Sequence, residues 1–290
     1  MRKFNYLVPK SFDEAISLHE SYGDRAKYIA GGTDVLVKVK EGKLSPDYLI
    51  SLKHIPAQDR PYLKQDTGEF AIGAFVTHRA IEKSSIVQLH YPIIHDAVRN
   101  IGSVQIRNVA TIGGNLVNAV PSADGAIPLI ALDSKAHIYG TKGHRAVELR
   151  RFFLGPGQCD LQRGEILLEI VIPAPAPRTG GAYVKHGRRE AMELPMLGVG
   201  VVLSLEEDML TCAKARICLG VAAPTPLRCF QAEKYLTGNA IDENSLAEAG
   251  KIAGEESKVR DSIRGLAWYR REMVGVLVKR MGLKALERAK

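Results

Sequence analysis

Tyr28-Ile29-Ala30-Gly31-Gly32-Thr33-Asp34 and Val109-Ala110-Thr111-Ile112-Gly113-Gly114-Asn115 are two versions of one pattern. In each, a short apolar stretch runs into a Gly-Gly pair beside a hydroxyl and a carboxyl or amide side chain. Glycine accepts positive φ and lets another group approach the backbone with no Cβ in the way. Successive N–H groups can then converge on an anion, and a hydrogen bond to a charged group is worth about 1.5–3 kcal/mol. Two such loops would hold a diphosphate between two lobes; the rival reading is two tight turns. The chain has no G-x-x-x-x-G-K-[ST] and no G-x-G-x-x-G, which argues against an NTPase and against a dinucleotide-binding Rossmann domain. Residue by residue, this pattern leads to a two-lobed binder of a phosphorylated ligand.

Around these loops the chain alternates strands and helices. Ser11-Phe12-Asp13-Glu14 reads as a capping box opening a helix that stops near Gly23. Strands come next near 28–30 and 47–50, with 35–40 open between strand and helix, a βαβ-like start. A strand at 70–73 and an N-cap at Thr77 are the next signals. Ile93, Ile94, Ala97, Val98 and Ile101 then recur at three- and four-residue intervals and define one helix face ending at Gly102. From Arg107 to Ala126 neither period is visible, so this segment reads as a long functional loop. A buried helix at 127–132 and strands at 136–139 and 165–172 complete the first part. Pro173-Ala174-Pro175-Ala176-Pro177-Arg178-Thr179-Gly180-Gly181 reads as a linker, since proline cannot donate to a sheet. Beyond it lie strands at 182–187, 197–206 and 213–222 and helices near 228–236, 243–253 and 265–286. The layout is α+β.

Composition narrows the class. The 290 residues carry 40 Lys+Arg against 32 Asp+Glu, a formal charge of +8, with 46% apolar residues, which excludes wholesale disorder. Cys159, Cys212, Cys218 and Cys229 form no C-x-x-C pair, and of the eight histidines only His90 and His95 lie close, so no metal is expected. No apolar run reaches the roughly 20 residues of a membrane span, and the N-terminus carries no signal-peptide pattern. The cytoplasm is the expected compartment. Lys and Arg are dispersed, not interleaved with aromatics, which counts against an RNA-binding role.

The ordered set Ile29–Asp34, Arg107–Asn115 and Ser122-Ala123-Asp124 resembles the FAD-binding medium subunit of the molybdenum hydroxylases, the family of xanthine, nicotinate, CO and aromatic-acyl-CoA dehydrogenases or reductases. The likeness continues through Tyr183-Val184-Lys185, Gly220-Val221-Ala222-Ala223-Pro224-Thr225-Pro226-Leu227-Arg228 and Arg264-Gly265-Leu266-Ala267-Trp268-Tyr269-Arg270, and so covers almost the whole chain. It is most similar to bacterial xanthine dehydrogenase flavin subunits. The resemblance implies an N-terminal PCMH-type FAD-binding domain over 1–175, with subdomains of about 1–56 and 57–175. It also implies a C-terminal domain over 180–290 with a three-stranded antiparallel sheet and a helical bundle.

By the same resemblance, Lys27, Tyr28, Ile29, Ala30, Gly31, Gly32, Thr33, Asp34 and Val35 wrap the pyrophosphate of FAD. Thr111, Ile112, Gly113, Gly114 and Asn115 supply a second set of contacts, Asp124 touches the nucleotide end, and Ile101, Leu167 and Lys185 lie near the cofactor. Each has a plainer reading from its type. Thr33 or Asp34 caps a following helix; Asn115 holds a left-handed turn; Asp124 caps the 125–132 helix; Leu167 is core; Lys185 faces solvent. Trp268 reads equally as core or as an inter-subunit anchor.

The implied function is electron transfer by non-covalent FAD, from [2Fe-2S] centres on a small partner subunit to NAD+ or another acceptor. Substrate is hydroxylated at molybdopterin on a large partner subunit, so no side chain here is expected as catalytic acid, base or nucleophile. Glu193-Leu194-Pro195 departs from the family's Asp-Leu or Asp-Ile-Ala pattern. The alternatives are a CO-, nicotinate- or other aromatic-substrate complex of the same family, a self-sufficient flavin oxidase or reductase, and a non-redox nucleotide- or RNA-binding module.

Overall fold

A computed structural model describes residues 3–56, 60, 62–66 and 68–290. Strands β1 (Asn5–Leu7), β2 (Ala26–Ile29) and β3 (Tyr48–Ser51) form a parallel sheet in the order β1-β3-β2. Helices α1 (Phe12–Tyr22) and α2 (Val35–Lys40) make the two crossovers. Ser11 Oγ caps α1 by accepting from the Glu14 amide, while the Glu14 carboxylate reaches past Ser11 to the Lys10 amide at 2.6 Å. The expected capping box is therefore displaced by one residue at its second bond. Ala15, Ile16, Ala26, Ile50, Leu52 and Ile55 make a small core that Ile166 joins. The expected subdomain boundary near residue 57 borders residues 57–59, outside the described residues.

The second sheet is antiparallel, in the order β4-β5-β10-β6-β7. It comprises β4 (Leu63–Asp66), β5 (Glu69–Gly73), β6 (Lys135–Gly140), β7 (Gly143–Glu148) and β10 (Ile166–Ile172), with a small hairpin of β8 (Phe153–Gly155) and β9 (Gln158–Cys159) alongside. Six short helices lie between β5 and β6: α3 (His78–Lys83), α4 (Ser85–His90), α5 (Pro92–Val98), α6 (Val104–Val109), α7 (Ile112–Val117) and α8 (Ala126–Ala131). The segment expected to be one long loop thus contains α7 and the end of α6. Each has six residues, too few to display a 3.6-residue period, and each is started by a side-chain cap, Ser103 or Thr111.

The third sheet carries β11 (Thr179–His186), β12 (Leu197–Leu205) and β13 (Cys212–Gly220), the three long antiparallel strands expected, and a two-residue edge strand, β14 (Leu227–Arg228). Tyr183, Val202 and Cys218 point into the core of the preceding layer, against Ile93, Ile127 and their neighbours. Ala182, Val201, Leu203, Ile217 and Leu219 point the other way, to α9 (Phe230–Leu236), α10 (Glu243–Glu256) and α11 (Ala267–Ala289). Burial on both faces explains why all nine residues of β12 are apolar or small and buried. The linker is shorter than expected, because Gly180 and Gly181 are inside β11. A Cβ on Gly180 would lie 2.1 Å from the Ala285 carbonyl oxygen, so glycine here lets α11 lie directly on the strand. Arg288 of α11 donates to the Gly181 carbonyl at 2.7 Å and to Asp96 of α5 at 2.6 Å, tying the last layer to the middle one. Trp268 is 65% exposed, so it is not core.

Candidate functional site

A cleft of about 540 Å³, within the usual 300–1,000 Å³ of small-molecule sites, opens between the parallel sheet, the α6–α7 region and the end of β11. Ala30, Gly31, Gly32, Thr33, Asp34 and Val35 form one wall. Thr111, Gly114 and Asn115 border it from the second glycine pair, and Ile101, Asp124 and Lys185 from elsewhere. Tyr28, Gly113 and Leu167 instead line an adjoining apolar pocket of about 100 Å³, which shares Ala30, Gly114 and Val117 with the cleft. Ile29 and Ile112 are buried beneath these walls, and Lys27 is exposed on β2, outside both cavities.

The two glycine loops are built differently. Gly31 packs on the second loop: a Cβ there would lie 2.1 Å from the Val109 carbonyl oxygen. Gly32 has φ +75°, which a side chain would strain. Among the described residues, none of the amides of Gly31, Gly32, Thr33 and Asp34 finds an acceptor in the protein. Neither Thr33 nor Asp34 caps α2, which begins with no side-chain cap, so the helix-capping alternative for them is set aside. Asp34 accepts from Asn118 Nδ2 at 2.8 Å, and Lys38 donates to Asn118 Oδ1 at 2.8 Å. That clasp joins α2 to the end of α7 at the border of the cleft.

The second pair lies inside the first turn of α7, and its amides are engaged. Ile112 N donates to the Val76 carbonyl at 3.1 Å, Gly113 N to the Ala74 carbonyl at 2.8 Å, and Gly114 N to Thr111 Oγ1 at 3.1 Å. The converging donors expected of this loop are therefore absent, because helix start and sheet packing take them. Gly113 sits where a Cβ would come within 2.6 Å of Ala74 Cβ, whereas Gly114 is exposed to the cleft. Asn115 is helical, not a left-handed turn, and its Oδ1 is buried without a partner.

At another border of the cleft Lys185 donates to Asp124 Oδ2 at 2.8 Å and to the Asn100 carbonyl at 3.1 Å, and the Tyr183 hydroxyl donates to Asp124 Oδ1 at 2.6 Å. Lys185 therefore does not simply face solvent, and Asp124 does not cap α8. Burial pushes the Asp124 carboxyl up, against the pull of Lys185 and Tyr183. Burial, with Asp124 second, pushes the Tyr183 hydroxyl up too. Leu167 is in the core, as its plainer reading has it, while still lining the adjoining pocket.

Sequence reasoning gave no site role to His78, Gly102, Ile106, Asn118 or the Met192-Glu193-Leu194 segment, all of which border the cleft; Gly102 reads there as a helix end and Glu193-Leu194 as a departure from the family pattern. His78 is almost wholly buried, and its Nδ1 has no partner, an arrangement that costs roughly 1–3 kcal/mol when left unmet. Burial first and Arg107 second push its pKa down to about 4. Nothing in the sequence singles it out, because a polar residue directly after an N-cap such as Thr77 is ordinary at a helix start.

A loop of open amides, two partnerless buried polar atoms and an apolar annex suit a ligand with an anionic middle, polar edges and a flat apolar part. FAD has all three. The family model described as "FAD binding domain in molybdopterin dehydrogenase" matches residues 2–175, and that of the "CO dehydrogenase flavoprotein C-terminal domain" matches residues 182–285. The chain is 31% identical to the xanthine dehydrogenase FAD-binding subunit of Escherichia coli O157:H7 over 91% of this chain and 90% of that one. It is 32% identical to the carbon monoxide dehydrogenase medium chain of Hydrogenophaga pseudoflava, over 96% and 95%. Among solved structures, a chain of a Cu,Mo-CO dehydrogenase superposes with a TM-score of 0.93 at 31% identity, covering 99% of both.

Proposed function

The chain belongs to the FAD-binding subunits of the molybdenum hydroxylases, a family of oxidoreductases, and from that premise we propose that it is the electron-transfer subunit of a xanthine- or purine-type dehydrogenase. In this reading it links [2Fe-2S] centres on a small partner subunit, themselves fed from a molybdopterin subunit, to NAD+ or another acceptor. The bound, non-covalent FAD supplies the redox-active ring; the protein supplies position and electrostatics. The open amides of Gly31 to Asp34 carry the reading, since they are the donors left for a diphosphate. Asn115 offers a buried acceptor, and Thr111 keeps α7 in place beneath it. Lys185 and Asp124, held together by Tyr183 and the Asn100 carbonyl, close one end of the cleft. Residues 1–175 and 180–290 then act as one holder, because Asp124 and Lys185 come from different units.

A second reading, a subunit of a CO-oxidising complex, is favoured by the 32% identity and the TM-score of 0.93 to CO dehydrogenase chains. The test is the flavin content of the purified chain after heat release, then anaerobic addition of NADH. One FAD per chain, bleached by NADH, is expected. Protein that carries no flavin and takes up none overturns the flavin reading; flavin that NADH fails to bleach removes NAD+ as acceptor.

A further inference from the structure

His78 has no role so far, yet it borders the cleft at the first position of α3, nearly inaccessible. Its backbone amide is engaged by the Ala110 carbonyl at 3.0 Å, which fixes the ring's origin against the second glycine loop. Its Nδ1 meets no partner. The nearby cation does not serve it: Arg107 Nε donates to Glu82 at 2.9 Å and Arg107 Nη1 to the Ile101 carbonyl at 3.0 Å. An apolar ring would fill this position equally well if packing were the whole purpose, so the partnerless nitrogen requires a reason.

We propose that His78 is a positioning residue for the bound dinucleotide, making a hydrogen bond from its neutral imidazole to FAD in the cleft. The proposal rests on the cleft being the FAD site. The physical basis is the pairing of two buried orphans on one cavity: among the described residues, His78 Nδ1 and Asn115 Oδ1 are the partnerless buried side-chain atoms whose residues border it. A neutral imidazole offers one N–H and one acceptor nitrogen. It can therefore meet either kind of polar group on the ligand without bringing a second charge beside Arg107.

The test uses the whole chain. Protein labelled with 15N-histidine is stripped of flavin and reloaded with FAD, and the ring-nitrogen resonances of His78 are compared. A shift of a His78 ring nitrogen on loading is expected. In parallel, FAD affinity is measured by flavin fluorescence for wild type and His78→Phe, with the melting temperature of each apoprotein. The expected result is affinity weakened about tenfold, the worth of one ordinary hydrogen bond, while the apoprotein melts no lower than wild type. A merely structural histidine would lower both together, and that outcome overturns the proposal. So do unchanged affinity and unmoved His78 resonances in FAD-loaded wild type. If His78→Phe fails to fold, the resonances of wild type decide. Wild type that binds no FAD at all sinks the flavin reading itself, an outcome distinct from these.

Discussion

Gly31–Asp34 and Ile112–Asn115 border the same cleft, yet the first leaves its amides open and the second has them bonded. The difference lies in how the backbone continues beyond each glycine pair. In the first loop the chain leaves β2 and turns through positive φ at Gly32 before α2 begins, so four donors remain uncommitted. In the second the glycines are already helical, and the orphan amides of a helix start are satisfied by Thr111 and by the backbone at Ala74 and Val76. A glycine pair is thus a donor cradle in one setting and a packing device in the other. What the second loop leaves uncommitted at the cleft is a side chain, Asn115, whose Oδ1 is buried without a partner.

The largest expected effect lies where the two loops meet, at His78, whose amide binds Ala110 while Gly31 packs on Val109. Its pKa is about 4 in the fold and 6.5 ordinarily, so the unfolded chain takes up the proton first. Stability from this group is therefore lost as pH falls from about 6.5 towards 4, by an amount on the order of 3 kcal/mol at completion. Chemical denaturation of the apoprotein across that range, compared with His78→Phe, isolates the slope; parallel curves would mean the ring is not buried as described.

Next come Gly31→Ala and Gly113→Ala. Both place a methyl against backbone or a packed alanine, at about 1–3 kcal/mol each. Melting should drop by roughly 2–4 °C per kcal/mol for a chain of this class, and a neutral Gly31→Ala would refute the contact between the loops. Thr111→Val removes the α7 cap and should cost about 1 kcal/mol, whereas Thr33→Val, with no helix to cap, should stay within about 0.5 kcal/mol of wild type. Equal losses at the two threonines would erase the distinction. The smallest change in stability is expected from Gly114→Ala, whose methyl meets only Thr111 Oγ1 at 3.0 Å. Its melting point should hardly move while FAD affinity falls, because that glycine faces the cleft.

Much of the fold was legible where a signal is local. Ser11 and Thr77 announced helices, and the apolar run at 197–206 announced the strand β12, whose cover on both faces only the structure shows. Strand β7 was not seen: Gly143–Glu148 is an edge, largely polar and partly exposed, and only Ala146 and Val147 break its polarity. The helices α6 and α7 escaped because six residues make fewer than two turns. In the site, the contiguous wall from Ala30 to Val35 could be read from its motif. His78, Asn118 and Met192 could not, since they arrive from three other parts of the chain and become neighbours only after folding. The second loop misled for a related reason: identical residue types do not disclose whether their amides are already bonded.

The missing methyl at Gly180 has a consequence for how the protein is made. Because α11 lies directly on β11, and Arg288 clamps both to Asp96, the strand that presents Lys185 lacks its outer cover until that helix has been synthesised. Chains grow from the N-terminus, so the segment carrying the glycine wall is synthesised before β11 with Lys185, and α11 after both. The wall of the cleft that carries Lys185 thus depends on a helix that contributes no residue to the cleft.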